Sequence, residues 1–176
     1  MRGIKTITIS ILTLSLLAGS AVGAAAQDDA RPVSFSFTVS EGEFIEGTVE
    51  EGFGPMTMRD FTDVGAPIVA DDDRASGLLT TAFNVDSWPP LGDETFSVTT
   101  TSQRLFNEGG SWSGTGTEVR HEAGPDLDVQ TLTWMATLTG EGGYEGLTLV
   151  LLRDDSEEGK GFILPSVPPV PELPVE

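Results

Sequence analysis

The chain is predicted to fold as an all-β domain, a small antiparallel up-and-down β-barrel of about eight strands. Three observations predict this. Apolar and polar residues alternate with period two in one segment after another, the signature of strands with one buried face. Gly-rich turn signals separate these segments at intervals of about ten to fifteen residues. Glycines also stand inside the segments, at Gly47, Gly77, Gly114, Gly116 and Gly146, and the sharp sheet bending of a barrel needs positions without a side chain. No stretch has helical periodicity, so nothing is available for parallel crossovers.

The clearest strand comes first. Val33, Phe35, Phe37 and Val39 are apolar, and Ser34, Ser36 and Thr38 between them are polar. Glu43 to Glu50 reads as a second strand through Ile45, Gly47 and Val49, with a turn at Glu51-Gly52. Met56 and Met58 suggest a third, weaker strand ending near Phe61. After a loop at Asp71-Asp72-Asp73, a long strand runs from Ser76 to Asp86 and places Leu79, Thr81, Phe83 and Val85 on one face.

Trp88-Pro89-Pro90-Leu91-Gly92 breaks the pattern. A Thr- and Ser-rich strand follows from Thr95 to Phe106, and Asn107-Glu108-Gly109-Gly110 is a hairpin signal. Trp112 to His121 returns and turns at Ala123-Gly124-Pro125-Asp126. Leu132, Trp134, Ala136 and Leu138 then share a face, with Thr131, Thr133, Met135 and Thr137 on the other. Leu147 to Leu152 is the most continuously apolar segment and is expected to be buried on both sides. Asp154 to Gly159 is a polar turn, and Phe162-Ile163-Leu164 closes the set.

The ends set the organisation: residues 1–26 as a signal peptide, 27–164 as the barrel, and 165–176 as a Pro-rich disordered tail. Arg2 and Lys5 precede an apolar run from Ile7 to Leu17, and small residues follow to Ala24-Ala25-Ala26, the pattern of a secretory leader. The run is shorter than the ~20 residues of a spanning helix, so no membrane span is expected once the leader is removed. The expected location is secreted or extracytoplasmic. Five of the eleven prolines stand between Pro165 and Pro174, which favours an extended polyproline II segment.

Removing the leader takes two of the nine basic residues and none of the 28 acidic ones, leaving a net side-chain charge of −21. Phosphate backbones would be repelled at that charge, which excludes nucleic acid as a partner. The acidity points either to solubility in a harsh exterior or to cation binding. With no cysteine, thiol chemistry, Cys-based zinc sites and disulfides are all excluded.

Three stretches together carry a resemblance: Asp73-Arg74-Ala75-Ser76-Gly77 continuing to Asn84-Val85-Asp86-Ser87-Trp88, then Gly110-Ser111-Trp112-Ser113-Gly114-Thr115-Gly116, then Leu138 to Leu147 through Gly140-Glu141-Gly142-Gly143-Tyr144. In this order they resemble uncharacterised bacterial secreted proteins, which in turn look similar to the barrel of allene oxide cyclases and dirigent proteins. The resemblance spans roughly Asp71 to Leu152. Such proteins are expected to carry a Pro where this chain has Arg74. It implies the barrel and transfers no catalytic residue.

No catalytic constellation is visible, and the residues point to no cofactor. Trp88, Trp112, Trp134 and Tyr144 are the candidate ligand-binding residues, able to stack on a sugar or enclose an apolar molecule at a barrel mouth, or equally to pack core and rim. Asp71, Asp72, Asp73, Asp154 and Asp155 are candidate calcium ligands, although neither run has the alternating spacing of a calcium hand. Asp126 and Asp128, flanking Leu127, stand on the same footing. His121, the single histidine, would be a general base beside Glu118 or Glu122, or a solvated strand-end residue.

The leading expectation is a non-enzymatic exported barrel, either binding a small apolar or carbohydrate ligand or serving as a structural module. One alternative is a cyclase or isomerase using Glu118, Glu145 or Asn84 in the barrel pocket. Another is a calcium-binding envelope protein.

Overall fold

The computed structural model describes residues 31–51, 55–88, 94–123 and 129–165. The leader, the tail beyond Pro165, the Pro89–Gly92 part of the break after Trp88, the Gly124-Pro125-Asp126 turn and the Asp126/Asp128 pair lie outside these residues. Ten strands follow in order: β1 (Val33–Val39), β2 (Glu43–Ile45), β3 (Thr48–Glu50), β4 (Met56–Ala70), β5 (Gly77–Trp88), β6 (Glu94–Asn107), β7 (Gly110–Ala123), β8 (Val129–Gly142), β9 (Thr148–Arg153) and β10 (Gly159–Leu164). A single 3₁₀ turn, Asp73–Ala75, separates β4 from β5. Among the described residues no helix is long and apolar enough to cross a membrane.

Each strand from β4 to β10 pairs antiparallel with the next, and β1 pairs with β10 on one side and β4 on the other. The result is a closed ring of eight antiparallel strands, as the alternation and turn spacing predict. Period-two patterning places one set of side chains inside. Phe35 and Phe37 point inward from β1, Leu79 from β5, Leu105 from β6, Trp134, Ala136 and Leu138 from β8, and Leu149 and Leu151 from β9. Thr131, Thr133, Met135 and Thr137 are exposed on the outside of β8, as expected.

Two glycines complete the inner surface where rings need room. Phe35 pairs with Gly161 and Phe37 with Gly159. A Cβ on either glycine would overlap the phenyl ring of its partner. The rings therefore lie across β10 and fill the volume its missing side chains leave, an aromatic cover over strand glycines.

Three sequence expectations are revised. The third strand does not stop near Phe61 but continues to Ala70, making β4 fifteen residues long. Its register against β5 shifts between Met58 and Phe61 and again between Asp63 and Ala66. These are β-bulges at Asp60 (φ 60°) and Gly65 (φ 70°), and each one flips the phase of the alternation, which hid the strand from a period-two reading. The freed amides are taken by side chains of β5: Asp60 N–H donates to Asn84 Oδ1 at 2.8 Å and Gly65 N–H to Thr80 Oγ1 at 3.3 Å.

The predicted Glu43–Glu50 strand is split into β2 and β3. β1, β2 and β3 run along β4 in one unbroken register, so they are one arm interrupted twice. Both interruptions fall on glycines opposite a bulge, Gly42 against Gly65 and Gly47 against Asp60. A Cβ on Gly42 would press on the backbone of Val64 and Ala66, and one on Gly47 on that of Arg59, Asp60 and Phe61. Finally, β9 is not covered on both sides. Leu149 and Leu151 are buried, but Val150 and Leu152 are half-buried on the outer face, because among the described residues no second layer covers the ring there.

Candidate functional site

The barrel is filled at one end and hollow at the other. At the filled end the 3₁₀ turn acts as a plug, with Ala75 fully buried. Trp112 Nε1 donates to the carbonyl of Arg74 at 2.8 Å. Asn107 Nδ2 donates to the carbonyl of Ser76 at 2.8 Å and to that of Arg74 at 3.2 Å. Tyr144 Oη donates to Asn107 Oδ1 at 2.7 Å, and its ring stacks on Trp112 with centroids 4.7 Å apart. Arg74 is held by Asp72, through Nε at 3.0 Å and Nη2 at 2.7 Å. The Arg74 guanidinium keeps the Asp72 carboxyl below its ordinary value, against a smaller opposing effect of burial.

The hollow end holds a cavity of about 510 Å³. β5 contributes Leu79, Thr81, Phe83 and Val85, the four residues the sequence placed on one face. β6 contributes Ser97, Thr99, Thr101 and Gln103 beside them. Glu118 and Arg120 from β7, Leu132 and Trp134 from β8, Arg153 from β9 and Asp63, Met58 and Ala66 from β4 complete the wall, with Val39 at its sill. Phe61 and Phe83 stack at 5.8 Å, and Phe44, 56% exposed, leans on both at 5.5 and 6.2 Å.

The lining contains polar groups without partners. Thr101 and Gln103 are only 7% and 5% exposed, yet Thr101 Oγ1 and Gln103 Oε1 have no hydrogen-bond partner, and neither does the buried Oδ1 of Asp63. A buried oxygen left unpaired costs about 1–3 kcal/mol. These oxygens are closed off from the hollow: Thr101 Oγ1 lies over Gly116 and Asp63 Oδ1 over Gly42, so the polar groups open to the cavity are the remaining hydroxyl, amide and charged side chains of its wall. Its charges balance: Asp63 and Glu118 oppose Arg120 and Arg153, and Arg120 Nη2 donates to Glu118 Oε1 at 3.3 Å.

The ring wall is complete only around the filled end. β9 pairs with β8 from Trp134 to Thr139 and no further, although β8 begins at Val129. β2 and β3 pair with β4 alone among the described residues. Between β8 and the β2–β3 arm the upper wall is thus unpaired, and Asp155 Oδ1 accepts from the Leu132 N–H at its lower corner. A carboxylate on a free edge amide is a device that blunts an edge strand.

Of the four aromatic candidates, the structure brings one to the cavity. Trp134 is in its wall, its ring edge-on to Phe37 at 6.3 Å. Trp112 and Tyr144 stack at the opposite, filled end. Trp88 stands on the outside of β5 against Phe96 at 5.8 Å, 38% exposed. Among the enzyme candidates Glu118 lines the cavity, Asn84 holds the Asp60 bulge, and Glu145 is exposed in the turn after β8. His121 faces outward, 3.7 Å from Glu94.

The aspartate runs serve the backbone. Asp71 Oδ2 accepts from the Ser36 N–H, Asp72 holds Arg74, and Asp154 Oδ1 accepts from the Ser156 N–H. Asp73 is exposed. Among the described residues no group of three or more His, Cys, Asp or Glu is gathered as a metal site. The polar stripe of β6 was missed in the sequence. Its signal was present as Ser97, Thr99, Thr101 and Gln103 at alternate positions, on the face that Leu105 marks as inward.

No family model matches the chain, and neither a curated protein nor a solved structure is significantly similar to it.

Proposed function

We propose that this protein is an exported binding module that holds a small, partly apolar ligand in the hollow half of the barrel. The observation that carries the reading is the cavity itself. Its volume of about 510 Å³ lies within the ~300–1,000 Å³ of small-molecule sites, and it mixes apolar walls with hydroxyl, amide and charged side chains. A module with a purely structural task gains nothing from such a hollow. The same stability would come more cheaply from apolar side chains that fill it.

The test is native mass spectrometry of the protein purified from its own host, with the denatured mass beside it. The expected result is a reproducible extra mass that denaturation removes and that a cavity-filling Thr99→Trp variant no longer carries. A bare protein in both forms would overturn the reading.

Acid–base conversion of the ligand in the same cavity is the second reading. It rests on Glu118, the one of the three residues proposed for catalysis that stands in the wall. A Glu118→Gln variant that accumulates an unconverted ligand mass would support it.

A further inference from the structure

We propose that the cavity takes a segment of a neutral glycan, laid lengthwise against β5 and β6. The inference rests on the binding reading above and names the chemical class of the ligand. The wall formed by these two strands is divided into parallel stripes. Thr81, Phe83 and Val85 on β5 stand directly opposite Gln103, Thr101 and Thr99 on β6, and neighbouring strands are about 4.8 Å apart. A hydrogen-bonding stripe therefore runs the depth of the cavity beside a largely apolar one.

A ligand that satisfies this wall must carry polar groups along one edge and an apolar face beside them, repeated along its length. Linked sugar rings have this form, with hydroxyls at the edge and C–H groups on the face. The face would meet Phe83 and Trp134, and aromatic rings suit that contact. The hydroxyls would meet Ser97, Thr99 and the amide of Gln103 along the same stripe. Hydroxyl and amide side chains both donate and accept, as sugar hydroxyls do.

The charges favour an uncharged ligand. Two carboxylates and two guanidinium groups line the wall, so an ionic ligand gains from one pair what it loses to the other. Their planar heads remain good hydrogen-bond partners for hydroxyls. A chain longer than the cavity would extend past the rim of the hollow end.

The test offers the protein linear oligosaccharides of two to about six residues, built from glucose, mannose, galactose, xylose or N-acetylglucosamine, with uronic-acid oligomers as charged controls. Binding is read by calorimetry and saturation-transfer NMR. The expected result is binding of at least one neutral series, with affinity rising with length. The paired variant Thr99→Val/Gln103→Leu should weaken that binding about tenfold or more, while its melting midpoint stays level or rises, because the empty protein loses the unsatisfied Gln103 oxygen.

No binding by any neutral series, or tighter binding of the uronic oligomers, overturns the inference. So does a paired variant that binds as well as the parent. If the paired variant does not fold, Thr99→Val alone carries the same comparison. A non-saccharide mass on the protein from its host would overturn the glycan assignment and leave small-molecule binding standing. A bare native mass with no saccharide binding would overturn both.

Discussion

The backbone of Asp60 occupies the space that a side chain on Gly47 would need. The two residues face each other across β3 and β4, and a Cβ on Gly47 would stand 2.7 Å from the Asp60 carbonyl carbon and 2.8 Å from the Phe61 nitrogen. The bulge and the glycine are therefore one feature written on two strands. The same holds for Gly65 and Gly42, where the Cβ would stand 2.7 Å from the Ala66 nitrogen.

This pairing makes the glycines unequal. Gly47→Ala pushes a methyl into backbone that cannot rotate away, and should cost about 1–3 kcal/mol. Gly65→Ala meets nothing within 4 Å and loses only the left-handed preference, about 1–2 kcal/mol. Thermal melts of both variants should place Gly47→Ala lower. The reverse order would mean that the arm yields and the two strands are not interlocked.

At the filled end, Tyr144→Phe removes the hydroxyl that Asn107 Oδ1 accepts and leaves the ring stack on Trp112. A loss of about 1 kcal/mol is expected, about 2–4 °C in the melting midpoint for a domain of this size. Trp112→Phe removes the donor to Arg74 and part of the buried ring, so its midpoint should fall further. Equal midpoints would show that the plug does not depend on the indole.

Acid should loosen the same plug. The carboxyl of Asp72 is held below its ordinary value of 3.8 in the folded protein. It therefore contributes stability above that value, and the contribution is lost as pH falls through the depressed one. Asp72→Asn should be less stable than the parent near neutral pH and show a shallower decline between about pH 4 and the acid limb below it. Parallel stability–pH curves for the two proteins would refute the role given to the Asp72–Arg74 contact.

Salt should act in the opposite sense to its usual effect on surface ion pairs. The chain has 28 acidic residues against nine basic ones, and repulsion among like charges opposes the compact state. Raising ionic strength from about 0.01 M to about 0.5 M shortens the screening length from about 30 Å to a few ångströms. The midpoint should rise across that range. A falling midpoint would mean that exposed pairs such as Arg59–Asp86 and Lys160–Glu158 outweigh the repulsion.

The barrel was legible because seven of its eight ring strands pair with one another without a bulge, and the residues expected on the inner face of β5 and β8 line the core and cavity. β4 was half hidden, since bulges at Asp60 and Gly65 shift the phase of its pattern, and Gly65 and Pro67 look like turn residues when read locally. The cavity was harder. An aromatic residue in a sequence carries no mark of which end of a barrel it occupies, so Trp112 and Trp134 read alike although one plugs the filled end and the other lines the hollow. Ser and Thr stand on both faces of β6, at Ser97, Thr99 and Thr101 and at Thr100 and Ser102, so the pattern does not mark which face is inward. Only closure of the ring decides that.

The closing pair of the ring has a mechanical consequence. β1 begins and β10 ends at the same end of the barrel, where Val33 pairs with Ile163. Tension applied to the chain at both ends therefore loads the Val33–Ile163 pair first and peels the two strands apart one pair at a time, rather than shearing all their hydrogen bonds at once. As the seam opens, Phe35 and then Phe37 lift off Gly161 and Gly159. Force would open this protein along one defined line at low load, with β4 to β8 still joined as a sheet.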